Sequence, residues 1–175
     1  MFKCSKVSFD VNSIDRFKDE NGEISRENIK KIIPYGDSFL YIDKVTRLDK
    51  KNITATKDVR NDEYWVKGHF ANFPIMPGAL IVEGLGQAAT LLVRYNIENH
   101  EQKDILAYKI RSAKFLRPTF PGQTIRFEAK LQFMFKKIAL VGGEVYRKEK
   151  LVSKVKMVLA IVDKDKFRGR YSGKK

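Results

Sequence analysis

The chain has 175 residues, 43% of them hydrophobic, with 35 Lys and Arg against 21 Asp and Glu for a net charge of +14. That is the size of one domain with enough apolar content for a real core. A single cysteine, Cys4, excludes an internal disulfide, and with only two histidines no cluster has metal-ligand spacing.

The first stretch, MFKCSKVSFDVNS, has no apolar h-region, so no signal peptide is expected and a reducing cytoplasm is the natural location. VSFDV reads as a short strand, and SIDRFKDENGE as a polar connector; residues 1–24 form an N-terminal extension. Ser25 is placed to cap a short helix with Glu27 in its first turn, and Pro34 stops it. FLYIDKVTRL and NITATKDV alternate apolar and polar around Asp49-Lys50-Lys51-Asn52, which predicts a hairpin. Tyr64-Trp65-Val66 then leads into Gly68-His69-Phe70.

Pro77 suits a helix start, because the N–H it lacks would have no acceptor there. From Gly78 to Val93 the residues are apolar or small nearly all round, which predicts a helix buried on every side. The run is too short, and too interrupted by Glu83 and Gln87, to span a membrane. Those two lie one turn apart on one face. Burial raises the cost of a charged Glu83, making it a candidate proton donor that Gln87 can orient. The bland alternatives are a Glu83 paired with a buried arginine and a purely structural Gln87. Gly84, Gly86, Ala88 and Ala89 fit a helix approached closely by another backbone.

NIENHEQKD reads as a polar loop in which His100 is solvated. ILAYKIRSAKF, TIRFEAKLQFMF, IALVGGEVYRK and LVSKVKMVLAIV read as strands, with a turn at Arg117 to Gly122. Several strands around one buried helix predict an α+β fold, an antiparallel sheet wrapped around that helix. The domain is expected over 25–162, followed by a mobile basic tail over 163–175. No Gly-rich phosphate loop occurs, so no nucleotide cofactor is expected. The positive charge favours solubility, an acidic protein partner or a membrane surface, and would attract nucleic acid only nonspecifically.

The Gly-His-Phe turn, the Met-Pro-Gly helix start, and an acid followed four residues later by glutamine resemble the 3-hydroxyacyl-acyl-carrier-protein dehydratases of fatty-acid synthesis, the FabZ/FabA group. The spacing from His69 to Glu83 (83 − 69 = 14) matches that family. The resemblance runs from about Ser25 to Val162. It implies the hot-dog fold and a lyase of lipid metabolism that needs no cofactor. It also implies His69 as base, Glu83 as acid and the Gly78 N–H as oxyanion donor, though a mechanism using His69 for both proton transfers stays open. Gln87, Phe70, Met76 and Pro77 would bind substrate or line its tunnel. The implied partner is acidic acyl carrier protein, for which Lys103, Lys109, Arg111, Lys114 and Arg117 are a candidate docking patch. The implied assembly is a homodimer with composite sites, alone or as a trimer of dimers (a homohexamer).

The sequence departs from the family pattern at Tyr35-Gly36-Asp37-Ser38, at Ala71-Asn72 where Pro-Gly is usual, and at Tyr108-Lys109. Two alternatives remain: a hot-dog thioesterase, and a non-catalytic acyl- or carrier-binding module.

Overall fold

The computed structural model describes residues 13–172, so the strand expected at VSFDV lies outside the described residues. Ile14 is fully buried and Asp15 accepts a hydrogen bond from the Tyr95 hydroxyl at 3.0 Å, so this part of the N-terminal segment packs on the domain. The short strand β1 (Ile24–Ser25) leads into helix α1 (Arg26–Ile32), capped as expected by the Ser25 hydroxyl, which accepts from Asn28 N at 3.3 Å.

The predicted hairpin forms from β2 (Lys44–Leu48) and β3 (Asn52–Asp58). Asp49 closes its turn by accepting from the backbone N–H groups of Lys51 and Asn52 at 2.8 and 2.9 Å. β2 starts five residues later than the alternation suggested. Phe39 and Tyr41 give their backbone groups to a side chain of the central helix instead of to a strand ladder.

That helix, α2, spans Gly78–Tyr95. After it come β4 (Lys103–Phe115), β5 (Thr124–Phe135), β6 (Ile138–Arg147) and β7 (Lys150–Asp163). The seven strands form one antiparallel sheet in the order β1-β2-β3-β5-β6-β7-β4. Alternate residues face the helix: Ile53 and Ala55 from β3, Ile125 and Phe127 from β5, Val141 from β6, Met157 and Leu159 from β7. They meet Leu85, Ala88, Ala89, Leu91 and Leu92 of α2. The result is the expected hot-dog architecture, an α+β fold with a sheet curled around one helix.

Two expectations about α2 are corrected. It is buried throughout from Gln87 to Arg94, but over its first two turns Ala79 is exposed and Leu80, Val82 and Glu83 are only partly covered. An apolar face cannot tell its own sheet from another surface, and at this end the chain's sheet covers only part of the helix, burying Ile81 and reaching Gly78 with Phe115. At Gly84 the close neighbour is a ring, not a backbone: a Cβ there would lie 2.5 Å from Phe127 Cζ.

β4 is an edge strand, with β7 its one neighbour among the described residues, and Ala107 to Phe115 are exposed along it. The C-terminal tail, expected to be mobile, forms helix α3 (Lys164–Tyr171). Asp163 caps it, and Arg168 binds the Asp104 carboxylate with both ends of its guanidinium at 2.8 and 3.0 Å.

Candidate active site

His69 sits in a turn tied at several points. Its backbone N–H and that of Gly68 both donate to the Trp65 carbonyl, at 2.9 and 3.0 Å. The Ile75 N–H donates to the His69 carbonyl at 2.8 Å, and His69 Nδ1 lies 2.8 Å from the Ile75 carbonyl. A carbonyl only accepts, so Nδ1 carries the proton and Nε2 is left with a free lone pair. The His69–Phe70 peptide is cis, and the two rings stack at 4.1 Å. Phe70 and Phe73 then close the turn by exchanging backbone hydrogen bonds at 3.1 Å. Asn72 takes φ +63° there, a left-handed conformation that asparagine tolerates far better than most residues, so the turn survives without the family's Pro-Gly.

Met76, buried, donates its N–H to the Thr119 carbonyl at 2.8 Å. Pro77 is the N-cap of α2 and Gly78 its first residue. The Gly78 N–H is among the four at a helix start that have no intrahelical acceptor, and it points along the positive end of the helix dipole. A side chain at 78 would collide with a ring, because a Cβ would lie 2.8 Å from Phe115 Cε1. His69, Met76, Gly78, Phe115 and Thr119 line one open cleft of about 480 Å³.

Glu83 does not line that cleft. It lies half-buried further along α2, where Gln87 Nε2 donates to its Oε1 at 2.9 Å. Gln87 is fully buried and fully used. Its Oε1 accepts from Tyr41 N, and its Nε2 donates also to the Phe39 carbonyl, both at 2.8 Å. The backbone N–H of Tyr41 fixes which end of the amide is oxygen, so Glu83 receives an N–H and keeps Oε2 free. Gln87 is thus both of the things weighed for it: a bracket between α2 and the 39–41 segment, and the group that holds Glu83.

The sequence-predicted residues therefore fall into two groups within one chain. His69, Met76 and Gly78 share the cleft, Phe70 lies against its histidine, and Pro77 starts the helix. Glu83 and Gln87 form the second group. Sequence reasoning gave no role to Phe115, which covers Gly78, or to Thr119, whose hydroxyl is buried without a hydrogen-bond partner. Their only signal was the AKFLRPTFPGQ segment. Of the basic residues singled out, Lys109, Arg111 and Lys114 are exposed on β4 and Arg117 borders the cleft, while Lys103 is engaged by Asp163 at 3.4 Å. Among the described residues no group of His, Cys, Asp and Glu is placed to hold a metal, and no helix is long and apolar enough to cross a membrane.

His100 is a correction. It is buried, 2% exposed, and its carbonyl accepts from Arg94 Nη1 at 2.5 Å. Burial pushes its imidazole below the usual histidine range, against the weaker pull of Glu101 in the other direction.

The model of the FabA-like domain matches residues 33–165. The chain belongs to the FabA-like family. A 3-hydroxyacyl-[acyl-carrier-protein] dehydratase FabZ from Clostridium kluyveri is 34% identical over 142 residues, which cover 79% of this chain and 96% of that protein. Among solved structures, the dehydratase heterocomplex ApeI:P from Xenorhabdus doucetiae superposes with a TM-score of 0.68 at 12% identity, over 81% of this chain and 95% of that one. Thioesterase HI1161 from Haemophilus influenzae gives 0.62 at 17% identity, over 81% and 92%. At those identities the two structures establish the hot-dog fold alone. Membership in the FabA-like family rests on the sequence match.

Proposed function

We propose that the chain dehydrates 3-hydroxyacyl thioesters on acyl carrier protein to trans-2-enoyl thioesters in fatty-acid biosynthesis. The observation that carries the residue roles is the His69 clasp. With Nδ1 held by the Ile75 carbonyl, Nε2 is the basic atom beside the helix start. Nε2 takes the proton α to the thioester carbonyl. Negative charge growing on the thioester oxygen is met by the Gly78 N–H and the dipole of α2. Glu83 gives a proton to the departing β-hydroxyl, which leaves as water, and the imidazolium returns its proton to reset the pair. A thioesterase role would rest on fold likeness alone, at 17% identity.

The two groups of residues meet in a homodimer. The exposed edge of β4 and the uncovered first turns of α2 are the surfaces a second copy would cover, bringing Glu83 of one subunit to His69 of the other. With one cysteine in the sequence, a cytoplasmic setting suits this enzyme. Its acidic carrier partner suits the +14 charge.

The test follows the enoyl absorbance formed from a 3-hydroxyacyl thioester. His69→Ala and Glu83→Gln each lose most activity while remaining folded. Mixing the two inactive variants by refolding regains about one quarter of the wild-type rate, since half the dimers are mixed and each of those holds one intact site. Wild-type rates in both single variants overturn the site, and no recovery on mixing overturns the composite dimer.

A further inference from the structure

Beneath the site, β3 carries a lysine into the core. Lys57 shares the inward face of the strand with Ile53 and Ala55 and is 1% exposed. Its Nζ lies 2.8 Å from the Glu63 carboxylate, itself almost buried. Lysine is hardly ever buried so fully without a partner, and an apolar pair of the same volume would pack as well or better. What an apolar pair lacks is direction. Glu63 uses both oxygens: Oε1 also accepts from Arg60 N at 3.0 Å, and Oε2 accepts from Trp65 Nε1 at 2.9 Å. Trp65 is buried, and its carbonyl is the one that holds the backbone N–H groups of Gly68 and His69. Consecutive bonds therefore run from the sheet, through Lys57, Glu63 and Trp65, to the backbone of His69.

A second line leaves the same cation. Lys57 Nζ lies 5.5 Å from the centre of the Tyr41 ring. The Tyr41 N–H is held by Gln87, which holds Glu83. Tyr41 also ties to Tyr64, hydroxyl to hydroxyl at 3.1 Å, so the 41 segment and the loop before His69 are joined directly.

We propose that the buried Lys57–Glu63 pair is a positioning device for the proton-transferring side chains. Its main action is on His69 through Trp65, and a lesser one is on Glu83 through Tyr41 and Gln87. This rests on the catalytic roles proposed above for His69 and Glu83. Neither Lys57 nor Glu63 touches the substrate.

The test is the double substitution Lys57→Met with Glu63→Gln, which keeps the volumes and leaves no lone buried charge. Trp65→Phe serves as the second variant, removing the indole N–H together with its five-membered ring and keeping a six-membered ring in the buried site. The sequence holds just two histidines, His69 and His100, so their imidazole NMR signals can be followed separately, with His100 against Arg94 as internal control. The expected result for the double variant is a fall in kcat of at least about tenfold with KM within about twofold of wild type. The His69 signal shifts and the His100 signal stays in place. Trp65→Phe gives a smaller change of the same kind. A merely structural pair would lower the melting temperature and leave kcat and the His69 signal of the folded variant alone, and that result overturns the proposal. If the double variant does not fold, an unchanged kcat and His69 signal in Trp65→Phe overturns it as well. Failure of the site itself looks different: His69→Ala would then retain wild-type turnover.

Discussion

Gln87 donates to Glu83 across one turn of α2 at 2.9 Å while its other bonds reach back to Phe39 and Tyr41, nearly fifty residues earlier in the chain. The candidate acid is thus fixed by a group that is itself fixed twice. Replacing Gln87 with leucine keeps the volume but strands the buried N–H of Tyr41 and the part-buried carbonyl of Phe39. The expected loss of stability is about 2–4 kcal/mol, read as a lower urea midpoint. Turnover should fall as well. Glu83→Gln, which keeps a group able to bond Gln87, should lose turnover with far less effect on stability. If the two variants lose stability equally, the bracket is not where the cost lies.

Gly78 and Gly84 make opposite predictions for the same change. At 84, the added methyl of alanine meets the Phe127 ring at 2.5 Å, and that ring is fully buried with nowhere to go. A loss of about 1–3 kcal/mol is expected. At 78 the neighbour is the far end of Phe115, which is 53% exposed within the chain and so less confined than Phe127. Gly78→Ala should fold with a melting temperature near that of wild type. Its activity should fall, since the ring and the methyl now compete for the space beside the proposed oxyanion donor.

His100 gives a pH dependence with a definite sign. Its imidazole is held below its unfolded value, so the unfolded chain takes up a proton near pH 6.5 that the folded chain refuses. Stability is therefore undiminished above that pH and is lost as the pH falls through it. The loss from this residue grows as the pH falls from 7 towards 5. His100→Gln should flatten that part of the curve, measured by chemical denaturation at each pH. A parallel curve for the variant would place the acid sensitivity elsewhere.

Carrier-protein binding should weaken as salt rises, because screening shortens the reach of the +14 charge. Arg117→Glu, at the border of the His69 cleft, should weaken binding further than Lys50→Glu in the β2–β3 turn. Equal affinities at low and high salt would remove electrostatic docking.

Much of this was legible before the structure. The strands follow period-two alternation, and α2 follows from an apolar run beginning at a proline. What sequence could not supply was pairing across distance. Nothing near Gln87 names Phe39 or Tyr41 as its partners, and nothing near Gly78 names Phe115. His100 was misread because its neighbours Asn99, Glu101 and Gln102 are polar, while Arg94 pulls its backbone inward. Lys57 did leave a trace, since parity puts it on the same face of β3 as Ile53 and Ala55. Alternation alone does not say that the charge on that face has found Glu63.

The bare rim of β4 has a consequence for how this protein would fail. Along its thirteen residues the peptide groups turned away from β7 are unshared, and Tyr108, Ile110 and Phe115 are exposed beside them. A solitary copy is therefore a template for any extended chain that drifts by. Lesions that block the proposed homodimer should appear first as turbidity and insoluble protein, before any change in the chemistry of the copies that remain dissolved.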